Sequence, residues 1–309
     1  MNSNARTAIL LVLLFLQSCQ LGAQAAAAAS WMAGVNDESS LAEILIPGSH
    51  DSGARHNPAL LPGTTACQTL SIREQLQIGV RFLDIRLKER GGELLVYHGA
   101  FFQNLSFDSV LLDCRGFLTD HPSECIIMSV QGCGRRFEEV FQGCLQADSN
   151  LWDLGESIPK LGAVRGKMTL LRRFPAANFR VGIDATAWPD NRVFCLNMPT
   201  ASLGVQDVYI VWSNHRKWQR IEKLFIDSTA PSSPPLFLNF TSGYNPFLLF
   251  WPRIRHCTDA IHPRLERYLS QIPAAPGPPP RGIVIMDFVT AALCQDVVHA
   301  NSKPAVVRR

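Results

Sequence analysis

Two histidines in this 309-residue chain stand where short apolar segments end, and their chemistry suits proton transfer. His50 lies within the run Ile46–Gly53, next to Asp51, and His98 with Gly99 ends a second segment. A neutral histidine accepts a proton while a protonated one donates, and each role contributes about 10²–10⁴-fold to a rate. A single histidine in such a place is more often structural, but two on separate segments favour acid–base catalysis.

A charged pair lies on the segment between these histidines. Asp84 and Arg86 are two residues apart, so on a strand they share one face, while Leu83 and Ile85 take the other. An inward arginine is costly unless it is paired or meets an anion. Its forked guanidinium fits a phosphate, but a structural ion pair with Asp84 is an equal alternative from the spacing alone.

The elements that must position these residues are short strands alternating with helices. The predicted strands are Glu43–Pro47, Val80–Arg86, Leu94–Tyr97, Cys125–Val130, Lys167–Leu171, Gln206–Val211, Leu236–Phe240 and Ile283–Phe288. The predicted helices are Ile72–Ile78, Phe107–Leu118, Phe137–Leu145, Arg216–Phe225, Pro263–Ile272 and Ala291–Val298. This alternation predicts an α/β fold, a single (β/α)8 barrel that is irregular between residues 172 and 203.

Functional side chains of such barrels lie at the C-terminal ends of the strands. By this rule the histidines, Asp84 and Arg86 are joined by Arg173 after the fifth strand, Asp207 and Tyr209 in the sixth, and Asp287 near the end of the eighth.

The N-terminus has the pattern of an export signal. Arg6 precedes the apolar run Ile9–Leu16, and small residues follow as far as Ala29. We expect residues 1–24 to be a cleaved leader, with its boundary between 19 and 30, and the protein to be secreted. A lipid anchor on Cys19 is the alternative. Residues 30–300 then form one catalytic barrel, and 301–309 a disordered tail.

Cysteine number and net charge limit the possible chemistry. An even set remains after export and favours disulfides, with buried thiols as the alternative: Cys67, Cys114, Cys125, Cys133, Cys144, Cys195, Cys257 and Cys294. No spacing typical of zinc sites, dinucleotide sites or phosphate loops occurs, so neither a metal nor a cofactor is expected. The net charge of +3 argues against nucleic acid as a partner.

Taken together, these segments resemble a known family. The chain is similar to the X domain of phosphatidylinositol-specific phospholipases C, and specifically to the bacterial-type, metal-independent branch. The matching runs occur in order along nearly the whole chain after the leader: Ile46–Gly53, Gly79–Arg86, Val96–Gly99, His121–Val130, Gly166–Phe174, Trp188–Asn191, Val205–Tyr209, Asn239–Ser242 and Ile283–Phe288.

The resemblance implies roles for the matching residues. His50 is expected to act as the general base on the inositol 2-hydroxyl, supported by Asp287, and His98, oriented by Asp51, as the general acid. The implied products are diacylglycerol and inositol 1,2-cyclic phosphate. The implied substrate is phosphatidylinositol, with glycosylphosphatidylinositol (GPI) anchors as a further candidate.

The remaining implied roles concern the substrate. Arg86 stands where calcium-dependent relatives have an acidic ligand, so it is expected to stabilise the phosphoryl group without a metal. Arg173, Asp207 and Tyr209 resemble the inositol-binding group, and Asp84 is expected beside them. Gln131 occupies the place of a lysine in the bacterial-type pattern, which leaves the headgroup preference open.

A membrane surface is the expected partner of an otherwise monomeric protein. The run Phe247, Leu248, Leu249, Phe250 and Trp251 follows the seventh predicted strand and is interpreted as a membrane-contacting loop, assisted by Leu60 and Leu61. A buried helix is the alternative for this run. Sequons at Asn104 and Asn239 matter only if the source glycosylates proteins.

Two other functions remain open on the same scaffold. One is a phosphodiesterase for a different glycerophospholipid, and the other is a headgroup-binding protein without catalytic activity. The presence of His50, His98 and Arg86 favours the phospholipase C.

Overall fold

The computed structural model describes residues 26–176, 181–230, 234–246 and 253–302. Its strands are β1 Leu45–Ser49, β2 Phe82–Arg90, β3 Glu93–His98, β4 Phe101–Ser106, β5 Ile126–Cys133, β6 Trp152–Asp153, β7 Met168–Arg172, β8 Ile183–Asp184, β9 Val193–Asn197, β10 Ser202–Gln206, β11 Leu236–Phe240 and β12 Gly282–Met286. Its helices are α1 Ile72–Gln77, α2 Phe107–Asp120, α3 Phe137–Ala147, α4 Leu161–Val164, α5 Asn214–Asp227, α6 Ile254–Gln271 and α7 Ala291–His299.

The strands form one curled sheet in the order β6-β7-β5-β2-β1-β12-β11-β10-β9, with β8 also paired to β7. Neighbours from β7 to β10 along this order are parallel, as expected for strands joined by helical crossovers. The prediction of an irregular α/β barrel is therefore confirmed. Its irregular part is the edge with β8 and the antiparallel strand β9, within the stretch 172–203.

Two cores hold the sheet in place. Inward side chains such as Phe82, Ile127 and Leu238 pack together inside the barrel. Leu83 and Ile85, which alternate with Phe82 on β2, pack outward in the second core, which the helices cover. The predicted alternation on this strand is confirmed, and it turns Asp84 and Arg86 inward.

The third predicted strand, Leu94–Tyr97, is present as β3, but it is not one of the parallel strands of the barrel. β3 is antiparallel to β2 because only Gly91 and Gly92 separate them, and both glycines have positive φ, +62° and +88°. A two-residue Gly-Gly turn makes a hairpin, whereas a parallel neighbour needs a long crossover. β2 extends beyond the barrel and β3 runs back beside it, with Leu87 paired to Val96, so that His98 at the end of β3 returns to the cavity.

The sixth predicted strand was displaced. β10 ends at Gln206, where side chains capture the backbone N–H groups that a strand would offer to its neighbour. Val208 N–H donates to Gln206 Oε1, and the N–H groups of Tyr209 and Ile210 donate to Asn191 Oδ1, each at 3.0 Å. Asp207 and Tyr209 therefore follow the strand rather than lie in it.

Helix and tail boundaries also differ from the predictions. α6 begins at Ile254 and includes Pro263 in its interior, whereas the prediction started the helix at Pro263. Buried Ile254 and Cys257 extend the packed face of the helix toward its N-terminus. Asn301, predicted to be disordered, exchanges two hydrogen bonds with the backbone of Leu45 at 2.8 Å, so the ordered chain reaches into the predicted tail.

The eight cysteines from Cys67 to Cys294 are all free thiols, so the predicted disulfides do not occur among the described residues. Five of these thiols are buried, the alternative that the sequence had left open, and four of the five belong to the two cores: Cys114, Cys125, Cys257 and Cys294. None of the described helices is long and apolar enough to cross a membrane. The leader 1–24 and the residues Phe247 to Trp251 lie outside the described residues.

Candidate active site

A cavity of about 570 Å³ opens at the C-terminal ends of the barrel strands. Most of the predicted site residues line it: His50, Arg86, His98, Gln131, Arg173, Asp207, Tyr209 and Asp287. They come from β2, β3 and β5 and from the segments that follow β1, β7, β10 and β12. Asp51 and Asp84 do not line the cavity and are fully buried beneath it. The structure therefore brings most of the predicted residues together around one cavity.

His50 is held between a carboxylate and a guanidinium. Its Nδ1 lies 2.7 Å from Asp287 Oδ1, and its Nε2 lies 2.7 Å from Arg86 Nη2. Because arginine can only donate, Nε2 must be the unprotonated nitrogen, and Nδ1–H donates to Asp287. Burial and Arg86 lower the pKa of His50, but Asp287 and, to a smaller extent, Asp84 raise it, and the net pKa is above the usual 6.5. His50 thus presents a basic lone pair toward the cavity.

His98 is fixed by a backbone carbonyl. Its Nδ1 lies 2.6 Å from the carbonyl oxygen of Thr65, which can only accept, so Nδ1 carries a proton. Its Nε2 lies 3.8 Å from Asp51 Oδ2. A second proton on Nε2 would therefore sit beside a buried carboxylate, the arrangement that a general acid needs. Asp51 is near His98 as expected, while Thr65 supplies the orienting hydrogen bond.

Arg86 contacts His50 directly and shares the Asp51 carboxylate with His98. Its Nη1 is 3.4 Å from Asp51 Oδ2 and its Nη2 is 3.1 Å from Asp84 Oδ2. Burial alone would lower the pKa of Arg86, but these two carboxylates raise it, so the guanidinium stays charged. Nε has no hydrogen-bond partner, and the side chain is 26% exposed to the cavity. Arg86 therefore retains donor capacity for an anion.

Asp84 supports arginines and is too deeply buried to meet a substrate directly. It accepts from Arg86 and, at 3.5 Å, from Arg173 Nη1. Although burial would raise the pKa of Asp84, Arg86 and Arg173 lower it to about 2. The predicted substrate contact of Asp84 is thus corrected to a positioning contact.

An aromatic and polar wall closes the opposite side. The guanidinium of Arg173 lies 4.0 Å over the ring of Trp188, whose Nε1–H donates to Asp207 Oδ2 at 3.0 Å. The Tyr209 hydroxyl donates to Asp190 Oδ1 at 2.7 Å. The predicted Arg173, Asp207 and Tyr209 are thus joined into one wall by two residues that the prediction did not place in the site.

Further lining residues were also missed by the sequence reasoning. They are Thr64, Cys67, Gly99, Asp190, Trp188, Gly243, Tyr244 and Ile254. Trp188 and Asp190 fall within the run Trp188–Asn191, which carried part of the family resemblance and could have identified them. Cys67 and Tyr244 had no comparable signal in the sequence.

Comparison with known proteins agrees with this geometry. Residues 45–173 match the family described as "Phosphatidylinositol-specific phospholipase C, X domain". The chain is 28% identical to the 1-phosphatidylinositol phosphodiesterase of Listeria monocytogenes over 286 residues, 88% of this chain and 84% of the relative. It is 28% identical to that of Staphylococcus aureus over 233 residues, 69% of this chain and 74% of the relative.

The fold is similar to a solved structure as well. The phosphatidylinositol-specific phospholipase C from Listeria monocytogenes superposes with a TM-score of 0.73 and 26% identity, covering 89% of this chain and 98% of the other.

Proposed function

Because the chain belongs to the phosphatidylinositol-specific phospholipase C X-domain family, we propose that it is a phospholipase C that cleaves phosphatidylinositol. The observation that carries this proposal is the placement of His50, Arg86 and His98 on one cavity, with the arginine in contact with one histidine and sharing a carboxylate with the other. A base, an acid and a cation beside them are the groups that a phosphodiester transfer requires.

His50 acts first in the proposed reaction. Its Nε2 removes the proton of the inositol 2-hydroxyl, and Asp287 stabilises the imidazolium that forms. The hydroxyl oxygen forms a bond to the adjacent phosphorus, and the bond from phosphorus to the glycerol oxygen breaks. His98 Nε2 gives its proton to that oxygen, so diacylglycerol leaves and inositol 1,2-cyclic phosphate remains.

Arg86 stabilises the phosphoryl oxygens during this transfer. The exposed part of its side chain is available to the phosphoryl oxygens, and the carboxylates of Asp51 and Asp84 hold the guanidinium in place. When the phosphate binds Arg86, the hydrogen bond from Arg86 to Nε2 of His50 is released, and Nε2 can accept the proton of the substrate hydroxyl. A permanent cation in this position performs what a metal would otherwise supply, so we expect catalysis without one.

The wall of Arg173, Trp188, Asp207 and Tyr209 is the proposed inositol site. Charged and amide groups bind ring hydroxyls, and aromatic faces stack on the ring. Gln131 adds a neutral polar group at the mouth. In this proposal, the mouth of the cavity near Gln131 determines whether a headgroup that carries a glycan, as in GPI anchors, can bind.

The cavity faces the membrane in our proposal. Leu60 is 87% exposed, and Phe101 and Phe102 are exposed on β4 next to His98. Apolar side chains around the mouth can enter the lipid interface while the polar cavity receives the headgroup. We further propose that the protein is secreted, on the strength of its leader pattern, and meets this membrane from outside the cell.

Phosphorus NMR of phosphatidylinositol vesicles, with EDTA present, tests the function. We expect the diester signal to be replaced by that of a five-membered cyclic phosphate, with diacylglycerol in the lipid extract. Replacement His50→Ala or His98→Ala should abolish turnover while circular dichroism remains that of the folded protein. A strict requirement for calcium, or release of phosphatidic acid instead of diacylglycerol, would contradict the proposal.

A further inference from the structure

Cys67 is a buried thiol beside both histidines, and the reaction proposed above gives it no part. It lies on the segment that follows β1, where its backbone N–H donates to the carbonyl of Ala54 at 2.8 Å. Its Sγ lies 3.9 Å from Nδ1 of His98. Burial raises the pKa of the Cys67 thiol well above its usual value, so the thiol is protonated and not a nucleophile.

The thiol completes a set of metal ligands. One ligand atom from each of Asp51, Cys67 and His98 lies within 4.8 Å of the others. Around a tetrahedral zinc ion such atoms are separated by about 3.3–3.8 Å, so the ligands would have to move closer together for an ion to bind. Sulfur and imidazole ligands favour zinc or cobalt over calcium and magnesium.

Two further observations favour these three residues. Both carboxylate oxygens of Asp51 are fully buried and accept no hydrogen bond, although Arg86 lies within ion-pair distance. The Nδ1–H group of His98 donates to the Thr65 carbonyl, which leaves the lone pair on Nε2. Metal-bound histidines characteristically donate one nitrogen to a backbone carbonyl or carboxylate and coordinate with the other.

The alternative ligand set of His50, Cys67 and Asp287 is less suitable. Nδ1 of His50 and Oδ1 of Asp287 already share a hydrogen bond of 2.7 Å, and Nε2 of His50 is occupied by Arg86. A metal ion there would have to break both contacts, whereas Asp51 and His98 are 3.8 Å apart with no hydrogen bond between them.

We propose that Asp51, Cys67 and His98 form an inhibitory site for a thiophilic divalent cation, zinc above all. Bonds form from the metal to Sγ, Nε2 and a carboxylate oxygen, and the thiol proton and any proton on Nε2 pass to the buffer. The ion removes the general acid from catalysis and blocks the cavity. The inhibitory effect rests on the proposed phospholipase activity, but the binding of the ion does not.

Cobalt absorption tests binding independently of activity. Titration of the apoprotein with Co²⁺ should give a near-ultraviolet thiolate-to-cobalt charge-transfer band, which Cys67→Ser removes. Cys133→Ser is the control because that cysteine is exposed and does not line the cavity, and it should keep the band. A band that persists in Cys67→Ser, or that never forms in the wild type, overturns the proposal.

Inhibition is then measured on phosphatidylinositol vesicles. Zinc should inhibit the wild type and the Cys133→Ser variant reversibly, with recovery in EDTA, whereas calcium and magnesium should not. Cys67→Ser should keep the basal rate and need about 10- to 100-fold more zinc. Equal zinc sensitivity of wild type and Cys67→Ser overturns the inhibitory site. A Cys67-dependent cobalt band in a protein without phospholipase activity would refute the proposed function and leave the binding site intact.

Discussion

Two arginines lie five positions apart on one stretch of chain, and both pair with buried carboxylates. Arg81, just before β2, is fully buried at the bottom of the barrel. Its Nε and Nη2 meet Glu124, Nη1 donates to the carbonyls of Leu76 and Val80, and Nη2 also donates to that of Ala29. Every nitrogen of this guanidinium has a protein partner.

Arg86, within β2, shows the opposite pattern. It faces a cavity and has an unpartnered Nε, although Asp51, Asp84 and His50 surround it. A saturated guanidinium holds the fold together, while an unsaturated one at a cavity is available for a ligand. The sequence left ion pair and anion site as equal alternatives for Arg86, and the partial exposure of its side chain in the cavity favours the anion site.

The largest expected effect is the loss of stability when Arg81 is replaced. Arg81→Met leaves the Glu124 carboxylate buried without its cation, so we expect the free energy of unfolding to fall by about 3–5 kcal/mol. Urea denaturation followed by circular dichroism measures this change. The double variant Arg81→Met with Glu124→Gln should recover part of the loss. The comparison breaks if Arg81→Met is as stable as the wild type.

Replacement of Arg86 should affect catalysis more than stability. Arg86→Met removes the cation beside the phosphate, and we expect kcat to fall by about 10²–10³-fold. The variant also leaves Asp51 and Asp84 buried without this cation, so the urea midpoint should fall, but by less than in Arg81→Met because Arg173 still pairs with Asp84. Vesicle assays with and without calcium measure the effect. Full activity of this variant would contradict the phosphate role, and a large loss of stability would make Arg86 a structural residue like Arg81.

Part of the site could be predicted from local sequence patterns. Period-two alternation on β2 identified the inward face correctly, and residues after β1, β7 and β12 fell at the cavity because strand ends are set by local pattern. His98 reached the site through a hairpin instead of a parallel strand. The Gly91–Gly92 turn was present in the sequence and predicts that hairpin.

Other parts of the site depend on tertiary contacts that no local pattern reports. Asp84 was expected to contact the substrate. In the structure it is buried because both Arg173 and Arg86 pair with its carboxylate. The position of Cys67 beside His98 is set by a segment without regular secondary structure. The guanidinium of Arg81 forms hydrogen bonds with Ala29 and Glu124, which are far from it in sequence.

The next prediction concerns the charge balance at His50. In Asp287→Asn the group that raises the pKa of His50 is gone, while burial and Arg86 still lower it. A general base must be unprotonated, so the wild-type kcat/KM should fall as pH drops through a pKa above 6.5. In the variant this acid limb should move to lower pH, and kcat should fall by about 10²-fold. An unchanged acid limb would refute the assignment of His50 as the base.

The smallest expected effect belongs to Gln131, the register partner of Arg86 on β5. It shares the cavity edge with the arginine but carries no charge, so Gln131→Ala should lose at most one neutral hydrogen bond, about 0.5–1.5 kcal/mol. We therefore expect KM for phosphatidylinositol to rise about 2- to 10-fold at constant kcat, and the urea midpoint to stay the same. The matched variant Gln131→Lys adds a cation at the mouth and should favour more anionic headgroups, measured as kcat/KM ratios on mixed vesicles. A loss in Gln131→Ala as large as that in Arg86→Met would mean that the anion site extends across both strands instead of being centred on the arginine.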